Sequence, residues 1–547
     1  MTLASNSSKF LVEIDGLVVE GLTDGIWTPI VDGVRLTLSK GEVLGIIGES
    51  GAGKSTLGLS ALGYTKPGCR IRSGTVKFDG QELTTMSEPE LRELRGVRFS
   101  YVAQSAAAAF NPAHRIIDQV IESAVQHQQL TARDATIRSE ELFEQLELPD
   151  SKHFGSRYPH QVSGGQLQRA MTAMAMGCHP DLVVFDEPTT ALDVTTQIEV
   201  LGAIKHAVHA RSSAAIYITH DLAVVAQIAD RIMVLRNGCL VEQGDTRSLL
   251  KNPTREYTKQ LLSVRTLHKK PTIAKIGGSV LEARNITARY PGTSNNVLEN
   301  VSIQVKKGTT VAIVGESGSG KSTFARVITG LLMPETGEIR YEGKVLPPAI
   351  GDRSKEQLRR IQMIYQMPDV ALNPRQRVQD IIGRPLEFYL RMKGKAKFDR
   401  VTELLNQIEL PEEFRDRYPG QLSGGEKQRI CIARALAAQP AVIICDEVTS
   451  ALDQLVAEGI LELLQRIQRA LEVSYLFITH DLATVKAIAD DIVVMFEGAV
   501  VEQGPKDVIL SPPHAAYTEL LLTSIPEMDP DWLSKLIKGR RQAASIE

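Results

Sequence analysis

The sequence predicts an α/β protein built twice over. Each half is an open α/β sheet with a glycine-rich loop at the end of one strand. Three observations predict this. Gly48–Thr56 reads Gly-Glu-Ser-Gly-Ala-Gly-Lys-Ser-Thr, between the apolar run Val43–Ile47 and the helix-forming run Leu57–Leu62. The same stretch returns as Gly315–Thr323, Gly-Glu-Ser-Gly-Ser-Gly-Lys-Ser-Thr, behind Thr310–Val314. Two further apolar runs, Leu182–Phe185 and Val442–Cys445, each end in an Asp-Glu pair. Continuous apolar runs of this length are the mark of strands buried on both faces, as in parallel sheets.

Strand, G-x-x-x-x-G-K-[ST], helix is the context that a P-loop requires. Gly48, Ser50, Gly51 and Gly53, like Gly315, Ser317, Gly318 and Gly320, form a loop whose backbone N–H groups turn inward around phosphate oxygens. The helix N-terminus adds the positive end of its dipole. Lys54 and Lys321 can reach the β- and γ-phosphates, and Ser55 and Ser322 can offer a hydroxyl to Mg²⁺. Thr56 and Thr323 complete the motif. The expected ligand is a nucleotide with Mg²⁺.

Composition sets the outer limits. The 547 residues are too many for one domain. Halves of about 265 residues bury roughly three quarters of their unfolded surface and need no staples. A 43% hydrophobic and 23% charged chain with net charge −3 gives no electrostatic case for nucleic acid. Cys69, Cys178, Cys239, Cys431 and Cys445 are scattered without a C-x-x-C pair, which fits reduced thiols in a cytosolic protein. Met1–Phe10 lacks the pattern of a signal peptide. No apolar run approaches the roughly 18–20 residues of a spanning helix, so a membrane role has to come through a partner.

Taken in order, Phe10–Ile14 opens as a strand and Val34–Leu38 continues by alternation before Gly41 turns the chain into the P-loop strand. Further strands and a short helix fill residues 74–102. Helical periodicity then runs over residues 113–150. Val162–Arg169 opens a helix of small residues, Leu182–Phe185 is a buried strand, and Ala215–Thr219 is another that ends at His220. The second half repeats these events. Lys54 and Lys321 are 267 apart and Gln104 and Gln366 are 262 apart. Ser163/Ser423, Asp186/Asp446, Asp193/Asp453, His220/His480 and Tyr257/Tyr517 are all 260 apart. The offset changes only between motifs, where loops absorb it. The expected organisation is a first domain over 1–262, a linker over 263–279, a second domain over 280–523 and a tail over 524–547. The linker, with Lys269-Lys270-Pro271, is short and polar. The basic tail reads as a solvated helix end.

Asp186 and Asp446 stand at the C-terminal ends of strands, where open α/β sheets bind ligands, and suit Mg²⁺. Glu187 and Glu447 come next and can polarise an attacking water, help worth about 10²–10⁴ in rate. Ser163-Gly164-Gly165-Gln166 and Ser423-Gly424-Gly425-Glu426 read as capped helix starts. By itself that is only a capping box. The glycines also clear the helix end of side chains, so a phosphate can approach it. A histidine after a strand is most often simply packed, but His220 and His480 recur at the common offset.

In this order the motifs resemble those of the ABC-type ATPases: P-loop, glutamine, S-G-G-[QE]-x-Q-R, strand-Asp-Glu, A-L-D, Thr-His-Asp. The resemblance covers both halves. It implies, in each, a RecA-like core with an antiparallel β subdomain and an inserted helical subdomain. It implies ATP as the nucleotide, and it implies roles. Lys54 and Lys321 bind phosphates. Gln104 and Gln366 sense Mg²⁺ and face membrane subunits. Ser163–Gly165 and Ser423–Gly425 contact the γ-phosphate held by the opposite half. Asp186 and Asp446 serve Mg²⁺, Glu187 and Glu447 are the catalytic bases, and His220 and His480 sense the γ-phosphate. Asp193 and Asp453 lie at the seam. The family's adenine-stacking aromatic corresponds to Tyr290. The equivalent spacing in the first half gives Thr23, with Trp27 the nearest aromatic. Val448 stands where the first half has Pro188, a change of turn and not of a catalytic group. Two working composite sites are expected.

Several features further resemble the ATPases of dipeptide, oligopeptide and nickel importers. Asn111-Pro112 and Asn373-Pro374 follow the two glutamines. The domain ends match as well, Pro253-Thr254-Arg255-Glu256-Tyr257-Thr258 and Pro513-His514-Ala515-Ala516-Tyr517-Thr518. Some members carry a cysteine cluster after this element, but residues 259–280 hold none, so no iron–sulfur site is expected. The implied partners are two membrane-spanning permease subunits and an external solute-binding protein, with the chain on the cytoplasmic face of the inner membrane. A sugar-importer ATPase and a soluble tandem ATPase acting on ribosomes are the alternatives. The first usually shows a degraded motif in one half, and the second a long charged linker.

Overall fold

The computed structural model describes residues 10–23, 25–189, 192–263, 278–450 and 452–544. Most of the expected linker, including Lys269-Lys270-Pro271, lies outside them, as do Ala191 and Ala451 of the two A-L-D motifs. The chain divides into two compact units. One takes the chain as far as Ser263 and again from Pro526; the other takes what lies between.

The strands of the first unit are β1 (Val12–Thr23), β2 (Ile26–Leu38), β3 (Val43–Ile47), β4 (Cys69–Phe78), β5 (Gln81–Glu82), β6 (Phe99–Val102), β7 (Leu182–Asp186), β8 (Ala214–Ile218), β9 (Arg231–Arg236) and β10 (Cys239–Asp245). They form two sheets, a four-stranded one ordered β2-β1-β4-β5 and a six-stranded one ordered β10-β9-β3-β8-β7-β6. The small sheet is antiparallel. In the large sheet every pairing is parallel except β9 with β10. All five residues of β3, β7 and β8 are buried, which is why these strands read as unbroken apolar runs.

The order of the large sheet builds the site. β8 pairs with β3 on one side and with β7 on the other. The loops after these three strands therefore emerge together at one end of the sheet. Those loops are the P-loop, Asp186-Glu187 and Thr219-His220. Between β6 and β7 the chain makes a helical layer that includes Ile116–Val120 and Ala132–Gln145. Its interior holds Leu142, Phe143 and Phe154, with the two phenylalanine rings edge-on at 5.3 Å.

The second unit repeats the plan with β11 (Ser279–Ala288), β12 (Leu298–Lys306), β13 (Thr310–Val314), β14 (Thr336–Tyr341), β15 (Lys344–Val345), β16 (Ile361–Ile364), β17 (Val442–Asp446), β18 (Ser474–Ile478), β19 (Asp491–Phe496) and β20 (Ala499–Pro505). The sheet orders are β12-β11-β14-β15 and β16-β17-β18-β13-β19-β20, position for position those of the first unit. Its helical layer, with Val378–Leu390 and Gly394–Gln407, packs Ile382, Leu386, Leu404 and Leu405 into one core.

The tail departs from the solvated helix end that its charges suggest. Trp532–Ala544 is helical, and Leu533 is fully buried. Trp532, Leu533, Leu536 and Ile537 recur at the spacing of one helix face. Among the described residues no helix is long and apolar enough to cross a membrane.

Candidate nucleotide site

In each unit the P-loop ends at a glycine that caps the next helix, Gly53 for Lys54–Ser60 and Gly320 for Lys321–Thr329. Both caps are left-handed, with φ of 89° and 96°. A Cβ on Gly53 would stand 2.5 Å from the carbonyl oxygen of Ile30, and one on Gly320 would stand 2.9 Å from that of Val297. Glycine is required here by backbone conformation and by close approach together.

The lysines are almost wholly buried. Lys54 Nζ donates to the carbonyls of Gly48 (2.8 Å) and Glu49 (2.9 Å). Lys321 Nζ donates to Gly315 (2.8 Å), Glu316 (2.5 Å) and Ser319 Oγ (3.2 Å). A buried ammonium folded onto its own loop is placed for an anion that the loop encloses. Ser50, Gly51, Ser317 and Gly318 form the exposed rim of the two loops.

Beside the lysine, Ser55 Oγ donates to Asp186 Oδ1 at 2.8 Å, and Ser322 Oγ to Asp446 Oδ1 at 3.0 Å. Both carboxylates are buried at 5% and 8% exposure. Burial lifts the Asp446 pKa above the ordinary aspartate value, against the Ser322 hydrogen bond that lowers it. A carboxylate held out of water beside a hydroxyl is a site that a small hard cation would satisfy, and both are oxygen donors of the kind Mg²⁺ takes.

Glu187 and Glu447 follow in left-handed backbone, φ 48° and 50°, a conformation that costs non-glycine residues energy. Their amides are fixed to the adjacent strand, at 2.9 Å from the carbonyls of Ile218 and Ile478. This turns each glutamate away from its aspartate and toward a histidine and a glutamine. His220 Nδ1 lies 3.4 Å from Glu187 Oε2, and His480 Nδ1 lies 3.4 Å from Glu447 Oε1. Gln104 Nε2 donates to Glu187 Oε2 at 3.2 Å, and Gln366 Nε2 to Glu447 Oε2 at 2.6 Å. Burial works against the charged imidazole, but the glutamate outweighs it, and both histidines have raised pKa values. Glu447 is correspondingly lowered: burial opposes, and His480 prevails.

The helices Gly164–Met176 and Gly424–Ala437 begin with the expected capping boxes. Ser163 Oγ accepts from the Gln166 amide at 3.3 Å, and Ser423 Oγ from that of Glu426 at 3.4 Å. The two glycines of each start are not alike. Nothing lies within 4 Å of a Cβ on Gly164, and only Leu452, at 3.8 Å, near one on Gly424. A Cβ on Gly165 would lie 2.1 Å from Thr196 Cγ2, and one on Gly425 2.5 Å from Val456 Cγ1. The first glycine is open to a ligand and the second is a packing glycine. Asp193 and Asp453 cap the helices packed there, each accepting at 3.0 Å from the amide of Thr196 or Val456.

The positions expected to meet the base differ between halves. Tyr290 OH is 3.2 Å from Thr323 Oγ1 and receives a hydrogen bond from Arg326 at 3.1 Å, which ties it to the P-loop helix. Leu59 occupies the position of Arg326 in the first half, and Thr23 that of Tyr290. Trp27 pairs with Leu22 across the β1–β2 hairpin and carries the Arg70 guanidinium 4.0 Å over its ring.

One residue escapes the sequence reading, and another is named there without its contact. Tyr101, at the end of β6, donates to Asp186 Oδ2 at 2.6 Å. The domain-end Tyr517 accepts a hydrogen bond from the P-loop amide of Glu316 at 2.9 Å, with its ring 4.3 Å from that of Phe496. In the first half Tyr257 packs under Arg236, its phenol pushed up by burial and by Glu49. The recurrent Tyr-Thr element at each domain end was a visible signal, though its target was not.

Comparison with known proteins agrees with this geometry. The family model described as ABC transporter matches residues 31–190 and 298–450. That described as oligopeptide/dipeptide transporter, C-terminal region, matches residues 241–290 and 501–546. The Glutathione import ATP-binding protein GsiA of Salmonella choleraesuis is 36% identical over 96% of this chain and 90% of its own length. Its counterpart in Escherichia coli O157:H7 is 35% identical over 95% and 90%. A solved structure of cbiO1 from Clostridium perfringens, part of the ABC transporter complex cbiONQ, is 29% identical over 42% of this chain and 90% of that one, with a TM-score of 0.38. Both halves of the sequence lie within these matches, and the chain belongs to the ABC transporter family, as a two-domain protein that hydrolyses ATP to drive transport.

Proposed function

We propose that the chain is the energy-coupling subunit of a binding-protein-dependent importer for peptides or related small solutes, glutathione-like molecules among them. The observation that carries this is the duplication of one intact constellation, lysine, serine, aspartate, glutamate and histidine, in both units. The C-terminal region matched to oligopeptide and dipeptide transporters, and the glutathione importers among the relatives, favour the cargo class.

In this reading each site is composite. ATP lies on Lys54 and the P-loop of the first half and is completed by Ser423 and Gly424, while the reverse pairing joins Lys321 to Ser163 and Gly164. The second glycine of each pair, Gly165 or Gly425, keeps the helix start close to the helix behind it. Ser55, Asp186 and Gln104, or Ser322, Asp446 and Gln366, would hold Mg²⁺, which would supply positive charge against the phosphates. Glu187 and Glu447 orient and deprotonate the attacking water. His220 and His480 hold those carboxylates and meet the γ-phosphate. Tyr290 stacks on the adenine of the second site. Asp193 and Asp453 line the seam between halves.

Two permease subunits sit on the helical layers at the cytoplasmic face of the inner membrane, and an external solute-binding protein delivers cargo. In the second unit a cavity of about 770 Å³ runs from Ser322, Asp446 and Gln366 outward past Tyr365, Met367 and Val370. Met367 and Val370 are 61% and 82% exposed there, apolar surface of the kind a partner covers.

The test is a pull-down from detergent-solubilised native membranes with ATP, using Glu187→Gln/Glu447→Gln to hold the closed state. Recovery of two polytopic permease subunits is the expected result. Recovery of ribosomes, or of no membrane protein, overturns it.

A further inference from the structure

The tail is the part of the chain that hydrolysis and nucleotide binding leave unused. It ends on a prepared seat in the first unit. Gln227, 1% exposed at the end of the helix Leu222–Ile228, meets it three times. Its Nε2 donates to the carbonyls of Glu527 (2.6 Å) and Asp529 (3.0 Å), and its Oε1 accepts from the amide of Leu533 (3.0 Å). One amide side chain thus reads the backbone of the turn that starts the tail helix, as a short segment of strand would. Leu533 is fully buried beside it.

Charge and shape add to the fit. Arg247 is 2.7 Å from Asp531 of the tail, while Lys535 and Asp529, both in the tail, pair at 2.7 Å and brace its turn from within. Lys205 donates to the carbonyl of Gln227 at 2.7 Å and so fixes the end of the Gln227 helix. Gly202 sits in the middle of the helix Val194–Arg211, where glycine is otherwise a poor choice. A Cβ there would stand 2.9 Å from Ile537 Cδ1, so the missing side chain is the space that Ile537 fills.

The second unit has the same helices but not the seat. At the common offset of 260, Gln227 becomes Ala487, Gly202 becomes Glu462 and Arg247 becomes Asp507. Each change removes one feature of the fit, the amide, the space or the charge. The tail is therefore specific to the first unit.

We propose that the C-terminal segment Pro526–Ala544 is a strap, by which the far end of the second unit is fastened to the first. The chain leaves the first unit at Ser263, builds the second and returns at Pro526. The second unit is then held at both ends. A second tether raises the effective concentration of one half for the other without adding any contact at the ATP sites. This rests on the reading that the two halves close on ATP, and its consequence is that they remain partners when nucleotide leaves.

The experiment uses the full chain. Gly202→Cys/Ile537→Cys is expected to form a disulfide under mild oxidation, seen as a mobility shift that neither single variant shows. Leu533→Asp is expected to release the strap and raise the apparent KM for ATP by about tenfold, with kcat at saturating ATP changed less than about twofold. Gly202→Glu, which installs the second-half residue, is expected to do the same. Adding the cysteine pair to Leu533→Asp is expected to restore the low KM when oxidised and lose it on reduction. Failure of the disulfide to form, an unchanged KM in both release variants, or a KM that oxidation does not restore overturns the strap. Cross-linking reads docking without ATP hydrolysis, so its failure leaves the composite-site reading standing. That reading falls or stands on the Glu187→Gln/Glu447→Gln experiment.

Discussion

Tyr101 donates its phenolic hydrogen to Asp186 Oδ2 at 2.6 Å, and Met363 holds the equivalent place in the second half. The two buried carboxylates are otherwise alike, each accepting from the serine of its P-loop. Asp186 has both oxygens engaged by protein. The tyrosine is itself affected: burial and the adjoining carboxylate raise its pKa well above that of an ordinary phenol.

Tyr101→Phe should therefore weaken the first unit most when no cation is bound. Loss of a hydrogen bond to a buried carboxylate costs about 1.5–3 kcal/mol. In a domain of this size that lowers Tm by several °C, at roughly 2–4 °C per kcal/mol. Melting in EDTA should show the full loss. Melting with Mg²⁺ and ATP should show less of it, because a metal-bound water can donate where the phenol did. Met363→Leu serves as the control and should alter neither curve. An equal loss in both conditions would mean that Tyr101 only packs.

His480 and Glu447 should titrate as a pair. The raised histidine pKa means that its contribution is complete below about 6.5, the ordinary value, and fades as pH rises through the higher folded value. The lowered glutamate pKa means that its contribution is complete above 4.5 and fades as pH falls through the lower folded value. Between these limits the pair is charged and stable. In a ring-¹⁵N-histidine titration, the His480 signal should move above pH 6.5 in the parent chain. Glu447→Gln removes the partner and leaves burial, so the midpoint should fall. A midpoint indifferent to Glu447→Gln would show that the 3.4 Å contact does not govern the imidazole.

How far the sequence could be read depended on whether a feature is local. The P-loops, Asp186-Glu187 and the capped helix starts are set by neighbours in the chain, and the strands around them are buried throughout, so the pattern is unbroken. Tyr101 reaches Asp186 only because β6 pairs with β7, a relation between residues 85 apart. Gly164 and Gly165 look equivalent in sequence, and only the helix behind them separates an open glycine from a packed one. The spacing that leads to Tyr290 in the second half leads to Thr23 in the first, because β1 and β2 pair without a break from Gly21/Thr28 to Thr23/Ile26, where the second half opens a loop around Tyr290. The tail was misjudged because its charges are evident in sequence, whereas its seat at Gln227 lies about 300 residues away.

The glycine pair gives a prediction that separates function from folding. Gly164→Ala adds a methyl group to open space and should leave Tm within about 1 °C, while it obstructs the approach of a phosphate. ATP hydrolysis should fall by about tenfold or more. Gly165→Ala drives a methyl group into Thr196, an overpacking that costs about 1–3 kcal/mol. Its Tm should drop, and Gly165→Ala/Thr196→Ser, which removes the opposing methyl group, should recover it. Melting curves and ATPase rates on the same preparations decide the matter; equal behaviour of the two alanine variants would refute the division of labour.

Tyr517 offers the last test, of how a domain end supports its P-loop. The loop must present its amides inward to phosphate, and the Glu316 amide is taken instead by Tyr517 OH. That bond fixes the second residue of the loop from outside, and the ring is braced by Phe496. Tyr517→Phe keeps the brace and removes the acceptor. Loss of one such hydrogen bond costs about 0.5–1.5 kcal/mol. The cost falls on the ordered loop that binds nucleotide, so the Kd of the second site for ATP should rise about two- to tenfold. Its kcat should hold, because Glu447 and His480 are untouched. Fluorescent-nucleotide titration in a Lys54→Ala background, where the first site is disabled, isolates the effect. A change in kcat with Kd unaltered would place Tyr517 in the hydrolytic step and not in shaping the loop.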